Sequence, residues 1–127
     1  MFVCRRNSCR SQMAEGFGKA LGEGKIEVIS SGLEASRVHP TAIEVMSEVG
    51  IDLSNQTSNA LSEFQADDYD AVISMCGCGT SLPAHWVVRE VFLDWELEDP
   101  DGKPIETFYR VRDEIKERVG KLINQLS

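Results

Sequence analysis

Cys4-Arg5-Arg6-Asn7-Ser8-Cys9-Arg10-Ser11 separates two stretches of different periodicity. Ahead of it, Met1 to Val3 is apolar and reads as a short strand leading into Cys4. Behind it, Ser11 to Leu21 carries Met13, Phe17 and Leu21 at helical spacing, with Ala14 and Ala20 beside them. A strand that turns within a few residues into a helix opens a βα unit, and the rest of the chain repeats the alternation. Ile26 to Ser31 reads as a strand ended by Gly32, and Pro40 to Val49 as a helix, with Pro40 in its first turn and Gly50 as its stop. Leu61 to Gln65 reads as a short helix, Ala71 to Met75 as a buried strand, and Val91 to Trp95 as a fourth strand. Phe108, Val111, Ile115, Val119, Leu122 and Leu126 form one stripe of three- and four-residue steps, which predicts a last helix with a core-facing side. The expected architecture is α/β: a parallel sheet covered by helices on both faces.

In such sheets ligands bind beyond the carboxyl ends of the strands. Cys4 ends the first strand and Cys76 follows the strand Ala71 to Met75, so two thiols far apart in sequence are expected at one rim. The loop after Cys4 has a specific physics. A tight turn opening a helix points several backbone N–H groups into one concavity, and the helix start adds partial positive charge. Arg10 supplies a planar fork for two oxygens of a tetrahedral anion. The same field favours the thiolate of Cys4, so anion binding and nucleophile activation come from one loop. Ser11 is placed to donate a hydrogen bond to the sulfur, and Asn7 to brace the loop, since Asn tolerates left-handed backbone. The competing reading of a bare Cys-x5-Arg match is an inert thiol buried in a strand.

Bulk properties narrow the partners. The 127 residues, 42% of them hydrophobic, suit a single domain, 1–127, with one packed core. No apolar run approaches the roughly 18 residues of a membrane span, and Met1-Phe2-Val3-Cys4-Arg5-Arg6 is too quickly charged for a signal peptide, so the expected compartment is the cytoplasm. A net charge of −8 argues against a nucleic-acid partner. It also means that an anionic ligand must be attracted locally, which gives Arg5, Arg6 and Arg10 a role beyond that of a solvated patch. Cysteines at 4, 9, 76 and 78 lack zinc-ligand spacing, and His39 and His85 stand near neither pair, so no metal is expected. His39 and His85 read as structural or surface residues. Trp86 and Trp95 read as core or site-wall aromatics, and Cys9 as a structural thiol whose side chain need not face the anion.

Cys4 to Ser11, continued by Gln12-Met13-Ala14-Glu15-Gly16, resembles the low-molecular-weight tyrosine phosphatase superfamily, and within it the arsenate reductases. Ser31-Gly32-Leu33-Glu34, Val38-His39-Pro40-Thr41-Ala42, Gly50-Ile51-Asp52-Leu53-Ser54 and Asp99-Pro100-Asp101-Gly102 resemble the same branch in the same order. The resemblance implies the phosphatase I fold, a three-layer α/β/α arrangement on a four-stranded parallel sheet. It implies Cys4 as nucleophile, Arg10 as transition-state clamp and Asp99 as general acid. Asp99-Pro100 in an acidic stretch is otherwise an ordinary turn. The backbone and side chains of Arg5, Arg6, Asn7, Ser8, Cys9, Arg10 and Ser11 are then the oxyanion loop. Some reductases of the branch bind potassium through residues matching Asn7, Glu15, Ser30 and an aspartate, and the last of these is Asn59 here. Family members also carry several residues ahead of the position of Met1, so the first strand looks clipped and a lengthened chain is expected to be more stable.

A phosphatase of this type needs Cys4, Arg10 and Asp99, with water hydrolysing the cysteinyl intermediate. A reductase needs further thiols. Ser74-Met75-Cys76-Gly77-Cys78-Gly79 supplies two in a glycine-rich turn, whose blander reading is small residues packing that turn. In the reductase reading Cys76 attacks the Cys4 sulfur and Cys78 then attacks Cys76, leaving a small strained disulfide that is easily reduced. The close cysteine pair, and Arg6 where most of the superfamily has glycine, resemble the cyanobacterial glutaredoxin-coupled branch. That implies glutathione and glutaredoxin, rather than thioredoxin, as electron donors, with no tightly bound cofactor.

Overall fold

A computed structural model describes residues 1–75 and 82–126. Cys76, Cys78 and the glycines between and after them lie outside the described residues.

Four parallel strands form one sheet in the order β2-β1-β3-β4. They are β1 (Phe2–Cys4), β2 (Ser30–Gly32), β3 (Ala71–Ser74) and β4 (Val91–Asp94). The helices are α1 (Arg10–Leu21), α2 (Pro40–Ser47), the single turn α3 (Ala84–Val87) and α4 (Ile105–Leu126). Two 3-10 turns, Leu61–Glu63 and Ala66–Asp68, precede β3. The period-2 geometry of the strands explains the three layers. Phe2 and Cys4 of β1, with Ile73 of β3, face a core made with Met13, Phe17, Val45, Met46, Phe108, Val111, Ile115 and Val119. Met1 and Val3, with Val72, face the opposite layer with Leu61, Ala66, Leu82 and Trp86. Trp86 is thus a core residue of one face, and Trp95, tilted against Phe2, of the other.

Three elements differ from the sequence reading. The expected strand Ile26 to Ser31 is realised only from Ser30. In the register Phe2 pairs with Ser30, Val3 with Ser31 and Cys4 with Gly32, so residues before Ser30 run past the start of their neighbour, apart from Phe2 N–H donating to the Ile29 carbonyl at 3.0 Å. Ile26 and Val28 still pack against the core without strand pairing. The helix expected to Val49 ends at Ser47, one turn before Gly50 at φ +81°. On α4, Ile123 is buried and Leu126 is 38% exposed, because a 3.6-residue repeat drifts off a fixed line over six turns. Each large aliphatic side chain buried along that stripe contributes roughly 1.5–3 kcal/mol.

The Met1 α-amino group donates to the Ala71 carbonyl at 3.0 Å, and burial lowers its pKa from 8.0 to about 5. Protonating it in place is therefore unfavourable, whereas the unfolded chain takes the proton freely below pH 8. The resulting stability is complete above pH 8 and is lost as pH falls toward 5. A version lengthened by four residues ahead of Met1 is expected to melt higher at pH 6, with the gap shrinking at pH 8.5. Thermal melts of both versions across this range check it, and equal melting temperatures throughout would refute it.

Candidate active site

The loop between β1 and α1 is built by its carbonyls. That of Cys4 accepts from Leu33 N–H at 3.1 Å, that of Arg5 from Glu34 N–H at 3.1 Å, and that of Arg6 from the Ser58 hydroxyl at 3.2 Å. The Asn7 carbonyl accepts from Gln12 Nε2 at 3.1 Å, the Ser8 carbonyl from His39 N–H at 3.0 Å, and the Cys9 carbonyl from Met13 N–H at 3.0 Å. Six consecutive carbonyls are held by groups outside the loop. In a planar trans peptide the N–H points opposite to its C=O, so the N–H edges that follow turn to the other side, toward the cavity. Arg5, Arg6, Asn7, Ser8, Cys9, Arg10 and Ser11, the expected oxyanion loop, thus have a backbone fixed from outside. Gly32 allows it: a Cβ there would lie 2.5 Å from the Asn7 nitrogen and 2.7 Å from the Glu34 carbonyl oxygen, both backbone atoms.

Asn7 fixes the interior of the loop. It adopts φ +50°, the left-handed region that asparagine tolerates. Its Oδ1 accepts from Asn59 N–H at 2.7 Å, which assigns the amide orientation. Its Nδ2 then donates to Ser11 Oγ at 2.8 Å and to Ser30 Oγ at 2.9 Å. Ser11 Oγ is also hydrogen-bonded to Cys4 Sγ at 2.9 Å, and it is the donor there when Cys4 is a thiolate. Ser30 similarly donates to Glu15 Oε1 at 2.6 Å. Glu15 is buried; it accepts in addition from Ser30 N–H at 3.0 Å, and it faces the Lys19 ammonium at 2.6 Å. Asn7, Glu15 and Ser30 are thus gathered as the resemblance implies, with a lysine as the cation on the carboxylate and the Asn59 side chain turned to Thr57.

Arg10 is buried although charged, and sets the cavity's far wall. Its Nη1 donates to the Leu97 carbonyl at 2.9 Å and to the Met75 carbonyl at 3.3 Å. Its Nη2 stands 3.7 Å from Asp99 Oδ2. The segment carrying Asp99 is itself anchored. Asp101 N–H donates to Asp99 Oδ1 at 3.0 Å, and Glu98 is clamped by Lys103 and Arg110, which hold its carboxyl down at about 2. A cavity of about 470 Å³ is lined by Cys4, Arg5, Arg6, Ser8, Cys9, Arg10, Asp99 and neighbours from α2. Arg5 and Arg6 are exposed at its mouth, Arg6 beside Glu34 at 3.7 Å. Cys9 is buried in the core; burial first, and then the nearby Asp99 carboxylate and Cys4, push its thiol well above the ordinary range.

The geometry brings together Cys4, the loop, Arg10 and Asp99. Cys76 and Cys78 lie outside the described residues, although Met75, the residue before Cys76, gives its carbonyl to Arg10. Sequence reasoning missed His39, Ser36 and Arg37, which line the same cavity. A model of the low molecular weight phosphotyrosine protein phosphatase family matches residues 1–127. The chain belongs to that family. It is 65% identical to a Synechocystis protein named glutaredoxin arsenate reductase, across all of this chain and 97% of the relative. A solved structure described as an arsenate reductase in the phosphate binding state superposes with a TM-score of 0.95, at 65% identity over 100% of this chain and 97% of the other. The YwlE arginine phosphatase, solved as a cysteine-to-serine mutant with a phosphorylated active-site serine, superposes at 0.87 with 30% identity, over 98% of this chain and 93% of that one. The sheet and its flanking helices are therefore the phosphatase-like α/β fold.

Gly32→Ala is expected to push the loop off β2, lowering stability by about 1–3 kcal/mol and weakening phosphate binding together. Thermal melts and phosphate titration check it; a variant with native melting and native phosphate affinity would contradict the close approach.

Proposed function

We propose that this chain reduces arsenate to arsenite in the cytoplasm, with Cys4 as nucleophile and glutathione with glutaredoxin as the source of electrons. The geometry supports oxyanion chemistry at Cys4. What carries the choice of reductase is the full-length 65% identity to the Synechocystis glutaredoxin arsenate reductase.

The oxyanion sits in the N–H-lined loop, its charge countered by Arg10 and the start of α1. The Cys4 thiolate, hydrogen-bonded by Ser11, attacks arsenic. An arsenic–oxygen bond breaks, and the leaving oxygen takes a proton from Asp99 and departs as water. The product is a Cys4 thiol-arsenate adduct, with arsenic still in its oxidised state. A thiolate from Cys76 then attacks the Cys4 sulfur. The new S–S bond forms, the S–As bond breaks, and its electron pair stays on arsenic, which leaves as arsenite. Cys78 attacks Cys76, releasing Cys4 and carrying the disulfide to the Cys76–Cys78 pair. Two thiol equivalents from glutathione, passed through glutaredoxin, return that pair to thiols. Met75, immediately before Cys76 in sequence, is hydrogen-bonded to Arg10. No tightly bound cofactor enters the scheme.

A second reading has its own support. Its support is the likeness to a structure described as an arginine phosphatase. Cys4, Arg10 and Asp99 suffice for phosphate-monoester hydrolysis through a phosphocysteine.

Cys76→Ser separates the two. Arsenate turnover with glutathione and glutaredoxin is expected to disappear in Cys76→Ser, while any para-nitrophenyl phosphate hydrolysis persists there and vanishes in Cys4→Ser. Sustained arsenite release by Cys76→Ser would overturn the relay.

A further inference from the structure

His39 has every polar group engaged, and its partners belong to different walls of the cavity. Its backbone N–H donates to the Ser8 carbonyl of the oxyanion loop at 3.0 Å, and its carbonyl accepts from Ile43 N–H at 3.1 Å within α2. Its Nδ1 accepts from Thr41 N–H at 3.1 Å, capping α2 ahead of Pro40. A ring nitrogen that accepts an N–H cannot carry a proton, so the proton is on Nε2. Nε2 is therefore the donor toward Asp101 Oδ1 at 3.0 Å. The ring also packs on Phe108, centroids 5.1 Å apart, which limits its rotation.

Asp101 passes this constraint on. Its backbone N–H donates to Asp99 Oδ1, so one oxygen of Asp99 is occupied, and the other, Oδ2, is the one turned toward Arg10. The Asp99 side chain is itself 57% exposed, on a turn that contains Gly102 at φ +78°, so its orientation depends on these polar contacts rather than on burial. A proton donor must be held within hydrogen-bonding reach of the departing oxygen, and a misplacement of about 1 Å costs up to about a hundredfold in rate.

We propose that His39 is a positioning residue: it ties the Asp99–Asp101 turn to the oxyanion loop and α2, so that Asp99 Oδ2 faces the bound oxyanion. This rests on the reading of Asp99 as general acid. His39 touches no reacting atom in the scheme and acts through Asp101 alone.

The test uses two routes to the same bond. His39→Asn keeps a side chain that caps α2 well but is too short to reach Asp101. Asp101→Ala removes the acceptor and leaves α2 untouched, while Asp101→Asn retains an oxygen that accepts from Nε2. Single-turnover arsenite release by the prereduced full chain is measured with the KM for arsenate. His39→Asn and Asp101→Ala are expected to slow release about tenfold with KM within about twofold of the parent, and Asp101→Asn to stay near it. In an Asp99→Asn background, His39→Asn is expected to add no further loss, because the acid it positions is gone. The proposal is overturned if His39→Asn slows Asp99→Asn by the same factor as the parent, or acts on KM rather than on rate, or if Asp101→Asn is as slow as Asp101→Ala. A parent rate in Asp99→Asn itself would instead remove the assignment of the general acid, and this proposal with it.

Discussion

Six carbonyls in a row, from Cys4 to Cys9, are held by donors on the turn after β2, on Ser58, on α1 and on His39 at the start of α2. Everything chemical at this site depends on that. A peptide group that flipped would put a carbonyl oxygen where an anion must sit, and would turn a row of donors into a repulsive wall. The loop is too short to hold such a shape by itself, so its conformation is enforced by the surrounding elements. That is why Gly32, on a different strand, is as much a part of the anion site as the loop's own residues.

The chain as a whole carries eight negative charges in excess, yet its cavity is lined by Arg5, Arg6 and Arg10. Two scales of electrostatics are in play. Over distances beyond about 10 Å salt screens the global field, whereas fixed dipoles and a buried guanidinium act within a few ångströms in a poorly solvated space. Arg10 is held there by carbonyls of Leu97 and Met75 as well as by the Asp99 carboxylate nearby. The buried charge at Glu15 is treated in the same local manner, by Ser30 and Lys19, and hydrogen bonds through Ser30, Asn7 and Ser11 connect it to the Cys4 sulfur.

Legibility in the sequence followed the range of the interactions. The alternation of strands and helices, the loop from Cys4 to Ser11 and the left-handed Asn7 are set by near neighbours, and local pattern was enough to find them. The Ile26–Ile29 stretch has strand composition but no strand, because pairing is decided by the register of β1 with Ser30 and not by the stretch itself. The link from His39 to Asp101 spans 62 positions, and neither residue advertises it locally. The one hint was His39 directly before Pro40, a helix-start position where a side-chain acceptor has a use. Lys19, four residues after Glu15 on one helix face, was a readable pair whose importance appears only once Glu15 is found buried. Cys76 and Cys78 lie outside the described residues, so their place in the relay rests on the sequence and on the relatives.

The state of Cys9 bears on how faithfully electrons are delivered. A sulfur relay is vulnerable to short circuits: any spare thiolate near the first sulfur can intercept it and strand the enzyme in an unproductive disulfide. The chain places a second sulfur in the very loop that holds Cys4 and buries it, and burial, with the nearby Asp99 carboxylate, pushes its thiol up against the pull of Arg10. In the proposed relay, insulation of one thiol is thus the counterpart of activation of the other, and the direction of electron flow is set as much by the cysteine kept silent as by those that react.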